Sequence, residues 1–123
     1  MISSFISALL LAVASQAAPS AQAQSTQAPL TQEHRAMLRC SAAFALVSFG
    51  QANQNEAAMA WPAIDPRGRE FFVRSLAKIM DATGLSRDQV AQLAQTEAQR
   101  LIDNDTLEDV MPGCLLMLDA SGV

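Results

Sequence analysis

Tyrosine is missing from this chain, tryptophan and histidine occur once each, and cysteine occurs twice. With phenylalanine as nearly the whole aromatic complement, the interior has to be built from Ala, Leu, Val and Met. That alanine-rich mixture, poor in β-branched residues, favours helix over sheet. A single histidine leaves little for a metal site or for a nucleophile paired with a base. Cys40 and Cys114 lie 74 positions apart, far from the C-x-x-C spacing of a redox-active pair, and a metal would need more ligands than they supply. Charge is sparse too. Only 16 % of residues are charged and the net charge is −4, which argues against nucleic acid as a partner. What remains is a chain of 123 residues, half of them apolar: enough for one folded domain and not a disordered composition.

The first stretch, "MISSFISALLLAVASQAAPSAQAQ", reads as an address label. Phe5 to Ala14 is apolar over about ten residues, too short for the roughly 20 needed to span a bilayer. Small and polar residues follow, with Ala21-Gln22-Ala23 as an A-x-A cleavage site before Gln24. No Lys or Arg precedes the apolar run, so the amino terminus alone supplies positive charge. We expect a signal peptide over 1–23 that is cleaved after Ala23, a flexible lead-in over 24–30, and a single domain over 31–123. The expected location is periplasmic or secreted, without a stable membrane anchor. A membrane-surface or disordered tail is the rival reading.

Helical periodicity then dominates. Thr31 is placed to cap a first helix in which Met37, Cys40, Phe44 and Val47 share one face, with Gly50 as its stop. Glu56 to Ala60 has room for a short helical turn before Trp61-Pro62 and Asp65-Pro66 interrupt. Asp65 as cap and Pro66 at the first helical position open a second long helix, with Phe72, Leu76, Ile79 and Met80 as its buried stripe and Gly84 as its end. "GLSRDQVAQL" carries a capping box, Ser86 with Gln89, and a hydrophobic staple, Leu85 with Val90. Val90, Leu93, Ala94 and Leu101 should face inward from that helix. Thr106 is placed to cap a last helix that Pro112 must kink or restart. Leu115, Leu116 and Leu118 make its end strongly apolar. The fold class is therefore all-α: a small four-to-five-helix bundle.

In an exported chain two cysteines normally form one disulfide, and Cys40 with Cys114 is the one pairing available. Both fall on predicted apolar faces, so the bridge would pin the first helix to the last. Closing a loop of about 75 residues stabilises a fold by roughly 4.5 kcal/mol on the chain-entropy account.

Few residues offer themselves as a site. Arg67, Arg69, Arg74 and Lys78 form a basic run along one helix that could meet an anionic partner, and Trp61 could anchor one; the plainer readings are a solvated face and a lid over the bundle's end. His34, amid charged neighbours, reads as a solvated surface residue. The acidic stretch Asp103, Asp105, Glu108, Asp109 fails the EF-hand template, with Glu108 where Gly is required. The five methionines beyond Met1 suit core filling or an adaptable groove. Charge is uneven: residues 24–80 carry six basic and four acidic side chains, residues 81–123 two basic and eight acidic. We find no catalytic set and no metal or cofactor ligands, and we expect a protein without enzymatic activity.

"RCSAAFALVSFGQ", "GREFFVRSLAKIMDATGLSRDQV" and "VMPGCLLMLDASG" resemble stretches of small exported, two-cysteine, helical bacterial proteins that carry no assigned activity. The resemblance implies export and a helical fold, and no chemistry. More loosely, the architecture is similar to that of periplasmic acid-stress chaperones, although here the cysteines are farther apart and lysines are few. The expected function is a periplasmic module that binds a protein partner. The alternative is a small-ligand carrier with a Met- and Leu-lined cavity.

Overall fold

A computed structural model describes residues 28–123; the signal peptide expected over 1–23 and the first residues of the lead-in lie outside them. Five helices follow in order: α1 Gln32–Ala52, α2 Glu56–Met59, α3 Arg67–Thr83, α4 Arg87–Asp103 and α5 Leu107–Ala120. Among the described residues there is no strand, so the fold is the small all-α bundle that the composition implied.

Local chemistry sets each boundary. The Thr31 hydroxyl accepts from the His34 N–H at 3.1 Å, and the Thr31 N–H donates to His34 Nδ1 at 3.3 Å. This reciprocal box turns the imidazole back onto the helix start, so His34 is buried, with 7 % of its surface exposed, and is not the solvated residue that its charged neighbours suggested. The lead-in is tied down before it reaches Thr31. Ala28 donates its N–H to the Thr83 carbonyl at 3.1 Å, and Leu30 packs against the core.

Gly50 does not stop α1, which continues to Ala52. Its hydrogen serves packing instead: a Cβ there would lie 2.6 Å from the Ala58 Cβ, where α2 folds back on α1. Asp65 does not cap α3. No side chain caps that helix, and the Asp65 carboxylate pairs with Arg69 one turn on. Gly84 ends α3 as expected, at φ 75° with its N–H on the Met80 carbonyl. The Ser86–Gln89 capping box forms, with Gln89 N–H to Ser86 Oγ at 3.2 Å and Ser86 N–H to Gln89 Oε1 at 2.9 Å. Thr106 precedes α5 without a capping hydrogen bond from its hydroxyl. Nor does Pro112 split α5, which runs through it as one helix. The proline lacks the N–H that would reach the Glu108 carbonyl, and Glu108 is exposed, so water can serve that acceptor.

Helix α1 is the axis of the bundle. Gly68, early in α3, abuts Phe44, while Ile79, late in α3, joins Met37 and Leu38; α1 and α3 therefore run antiparallel. The buried residues of α3 include Ile79, as expected, and also Gly68, Phe71 and Ser75, one row round from the other members of the expected stripe. Phe72, Leu76 and Met80 are half-buried beside them. The displacement follows from Gly68, whose missing side chain lets α3 approach Phe44, and from the edge-to-face contact of Phe44 with Phe71, centroids 5.3 Å apart.

The core has two parts. Cys40, Phe44, Val47, Ile64, Phe71, Leu101, Met111 and Leu118 surround Cys114, and a second cluster joins Met37, Leu38, Ile79, Val90 and Ala94. Cys40 and Cys114 are bonded, with Cα atoms 5.1 Å apart, and both sides of the bridge are buried. In α5 it is Met111, Cys114 and Leu118 that face inward; Leu115 is half-buried and Leu116 is 73 % exposed, so the apolar run was not all core.

Candidate functional site

The basic run does come together on α3, but each member already holds a carboxylate. Arg67 reaches Asp119 of α5 at 3.0 Å and the Val123 carbonyl at 2.9 Å. Arg69 pairs with Asp65 at 3.2 Å, Arg74 with Glu70 at 2.7 Å, and Lys78 with Glu33 of α1 at 3.1 Å. All of these pairs are exposed, so each contributes at most about 1 kcal/mol. Their effect is to neutralise the run and to tie α3 to α1 and α5.

Trp61 is half-buried against the core at the end of the bundle where α1 finishes. Its setting depends on Gln51, near the end of α1. The Gln51 amide donates to the carbonyls of Ala58, Trp61 and Pro62 at 3.1, 3.2 and 2.9 Å, and its oxygen accepts from the Ile64 N–H at 3.1 Å. One side chain thus organises the whole connection between α1 and α3. Nothing in the local sequence marks this glutamine apart from the other amides of the stretch.

Three surface grooves border α1. One, of about 410 Å³, lies between Met37, Phe71 and Met117 with Arg74 and Lys78 at its lip. A second, also about 410 Å³, is a crease between α1 and α3 lined by Ser41, Ala45, Ser48, Ala52, Gly68 and Phe72. The third, about 380 Å³, is at the bundle end among Leu46, Trp61, Ile102 and Leu107. Phe49 lines both the second and the third and stands 71 % exposed on the ridge that separates them; Ile102, across the third, is 57 % exposed. An exposed aromatic between two apolar grooves is the most conspicuous surface feature of the molecule. It was findable: five residues past the buried Phe44, Phe49 is turned by roughly 140° on a helix and cannot share its face.

Beneath the crease, Ser41 is fully buried and its hydroxyl has no hydrogen-bond partner. Among the described residues no group of three or more His, Cys, Asp or Glu side chains is placed to hold a metal, and no helix is long and apolar enough to cross a membrane. A disulfide in the core is compatible with an oxidising compartment. No family model matches the chain, and neither a curated protein nor a solved structure matches it.

Proposed function

We propose that this is an exported, periplasmic module that acts by binding protein, without catalysis, through the apolar band formed by Phe49, Ile102 and Trp61. The observation that carries the reading is Phe49. A phenylalanine 71 % exposed on a helix, with an apolar groove on either side and Ile102 exposed across one of them, makes a contiguous apolar patch of the kind that a partner covers. The flanking grooves offer recesses for apolar side chains, and the half-buried Trp61 belongs to a residue type that dominates binding energy at interfaces. The neutralised basic run supports an apolar mode of contact over an electrostatic one. Export is supported by the cleavage motif before Gln24 and by the disulfide.

A second reading, a carrier of small apolar ligands, draws on the groove at Met37, Phe71 and Met117, whose volume falls within the range of ligand sites. The two readings separate in one experiment. A photo-crosslinking residue placed at Phe49 or Ile102 in the full-length protein, expressed in its host, should give protein adducts, while the same residue at Gln95, a polar exposed position of α4, should give none. Equal or absent labelling at all three positions, together with a small molecule co-purifying in stoichiometric amount, would replace the protein-binding reading with the carrier.

A further inference from the structure

We infer that the Phe49 end of the bundle takes a basic, amphipathic segment of another protein, with its apolar side chains in the groove and its Lys or Arg side chains on an acidic rim around it. The inference rests on the protein-binding reading and names the chemistry of the partner.

The groove among Phe49, Trp61, Ile102 and Leu107 is built from stretches of chain that carry no positive charge. Residues 40–66 and 101–123 contain no Lys, Arg or His, and every residue that lines this groove falls within them. Carboxylates, by contrast, gather there. Glu108 lines the groove, and Glu56 stands between two lining residues, Asn55 and Ala57. Asp103, Asp105 and Asp109 lie within two positions of Ile102 or Leu107. All five are exposed.

Pairing separates this rim from the rest of the surface. The five ion pairs among the described residues use Asp119, Asp65, Glu70, Glu33 and Glu97, and none uses a rim carboxylate. Arg100, the basic residue nearest the rim along the chain, holds Glu97 at 2.8 Å. Asp103 accepts at 2.8 Å from the amide of Gln99, which leaves its charge uncompensated.

Local structure accounts for only part of the rim. Glu56, Glu108 and Asp109 sit in the first turns of α2 and α5, where negative charge suits the helix dipole. Asp103 is the last residue of α4, the end at which a carboxylate is unfavourable. Asp105 stands at φ 52°, a conformation that Gly or Asn would adopt without adding charge.

An apolar groove inside a ring of unpaired carboxylates selects its occupant. Nucleic acid, an anionic membrane surface and a second copy docked through the same face would each bring negative charge to the rim. A basic amphipathic segment brings the opposite charge together with side chains for the groove. Apolar burial then supplies the affinity, and the rim supplies the choice of partner and a faster encounter.

The test uses the mature, disulfide-bonded protein and three short helix-patterned peptides, made of Leu and Lys, Leu and Glu, or Ser and Lys. Trp61, the only tryptophan of the chain and a lining residue, reports binding by its fluorescence. The Leu/Lys peptide should bind with an affinity that falls as salt is raised, and the other two at least about tenfold more weakly. Phe49→Ala should weaken the Leu/Lys peptide by about tenfold. Asp103→Asn with Asp105→Asn should weaken it by about fivefold. Asp81→Asn with Asp88→Asn removes the same charge from exposed, unpaired positions outside the rim and should leave the affinity unchanged. Thermal melts establish that each variant folds. Equal binding of the Leu/Glu or Ser/Lys peptide, equal effects of the two double variants, or no binding of any peptide would overturn the proposal. Protein adducts at Phe49 would then keep the protein-binding reading and remove only the basic partner, while their absence would remove both.

Discussion

Two glycines show how much a single hydrogen atom decides here. At Gly68 a Cβ would collide with Ile64 Cγ2 and press on the Phe44 Cβ at 3.2 Å, so Gly68→Ala must displace the buried Ile64 and crowd the contact of α3 with α1. At Gly113 a Cβ would meet nothing within 4 Å. Gly68→Ala should therefore destabilise by about 1–3 kcal/mol, whereas Gly113→Ala should stabilise by up to about 1 kcal/mol through helix propensity. Urea titration of the two variants reads the contrast; equal effects would show that the α1–α3 approach is looser than described. At this scale the sequence was legible where periodicity speaks. Met37, Cys40, Phe44 and Val47 are all buried as their spacing required. It was silent where a residue serves a distant partner. Gly50 looked like a stop signal but makes room for Ala58, and His34 looked solvated but caps α1.

Helix ends test the same point one level up. Ser86 and Thr106 both precede helices and both belong to residue types that cap. Only Ser86 does so, and it does so within a reciprocal box with Gln89. Ser86→Ala should cost about 1 kcal/mol, and Thr106→Ala less than half as much; thermal melts of the pair decide it, and equal losses would contradict the assignment. The difference was legible in part, because the box and staple around Ser86 offered several agreeing signals and Thr106 stood alone. The expected stripe of α3 packs on the second core cluster, with Ile79 fully buried, but the deeper row of Gly68, Phe71 and Ser75 beside it was not anticipated, for a related reason. Phe71 and Phe72 are adjacent and equally apolar, and only the contact at Gly68 selects which of them turns toward Phe44. Pro112 illustrates the reverse: an element that local rules would break persists because its neighbours Met111 and Cys114 are anchored in the core and the lost hydrogen bond falls on the exposed side.

For the whole molecule, the Cys40–Cys114 bridge is the decisive tie. It joins the central helix to the last one across 74 positions of chain, inside the larger of the two core clusters. On the chain-entropy account such a closure contributes roughly 4.5 kcal/mol, which rivals the total stability of many small domains. Cys40→Ser and Cys114→Ser should each lower the melting temperature by well over 10 °C for a domain of this size, and by similar amounts, because either change opens the same loop; wild-type-like melting of either variant would show that packing alone suffices. The candidate surface was less legible than this frame. The sequence pointed to the basic run and Trp61, whereas the structure spends the run on internal ion pairs and leaves Phe49 standing between two grooves. Periodicity tells which face of a helix is apolar, but which exposed residue remains uncovered depends on how the neighbouring helices are placed.

The claim on which the rest depends is that an exported chain is held together by this bridge. Its most direct test is the intact mass of the protein recovered from its native host, measured with and without reductant. The account predicts a chain that begins at Gln24 and weighs two hydrogens less than its reduced form. A full-length chain with two free thiols would contradict both export and the structural role of Cys40 and Cys114.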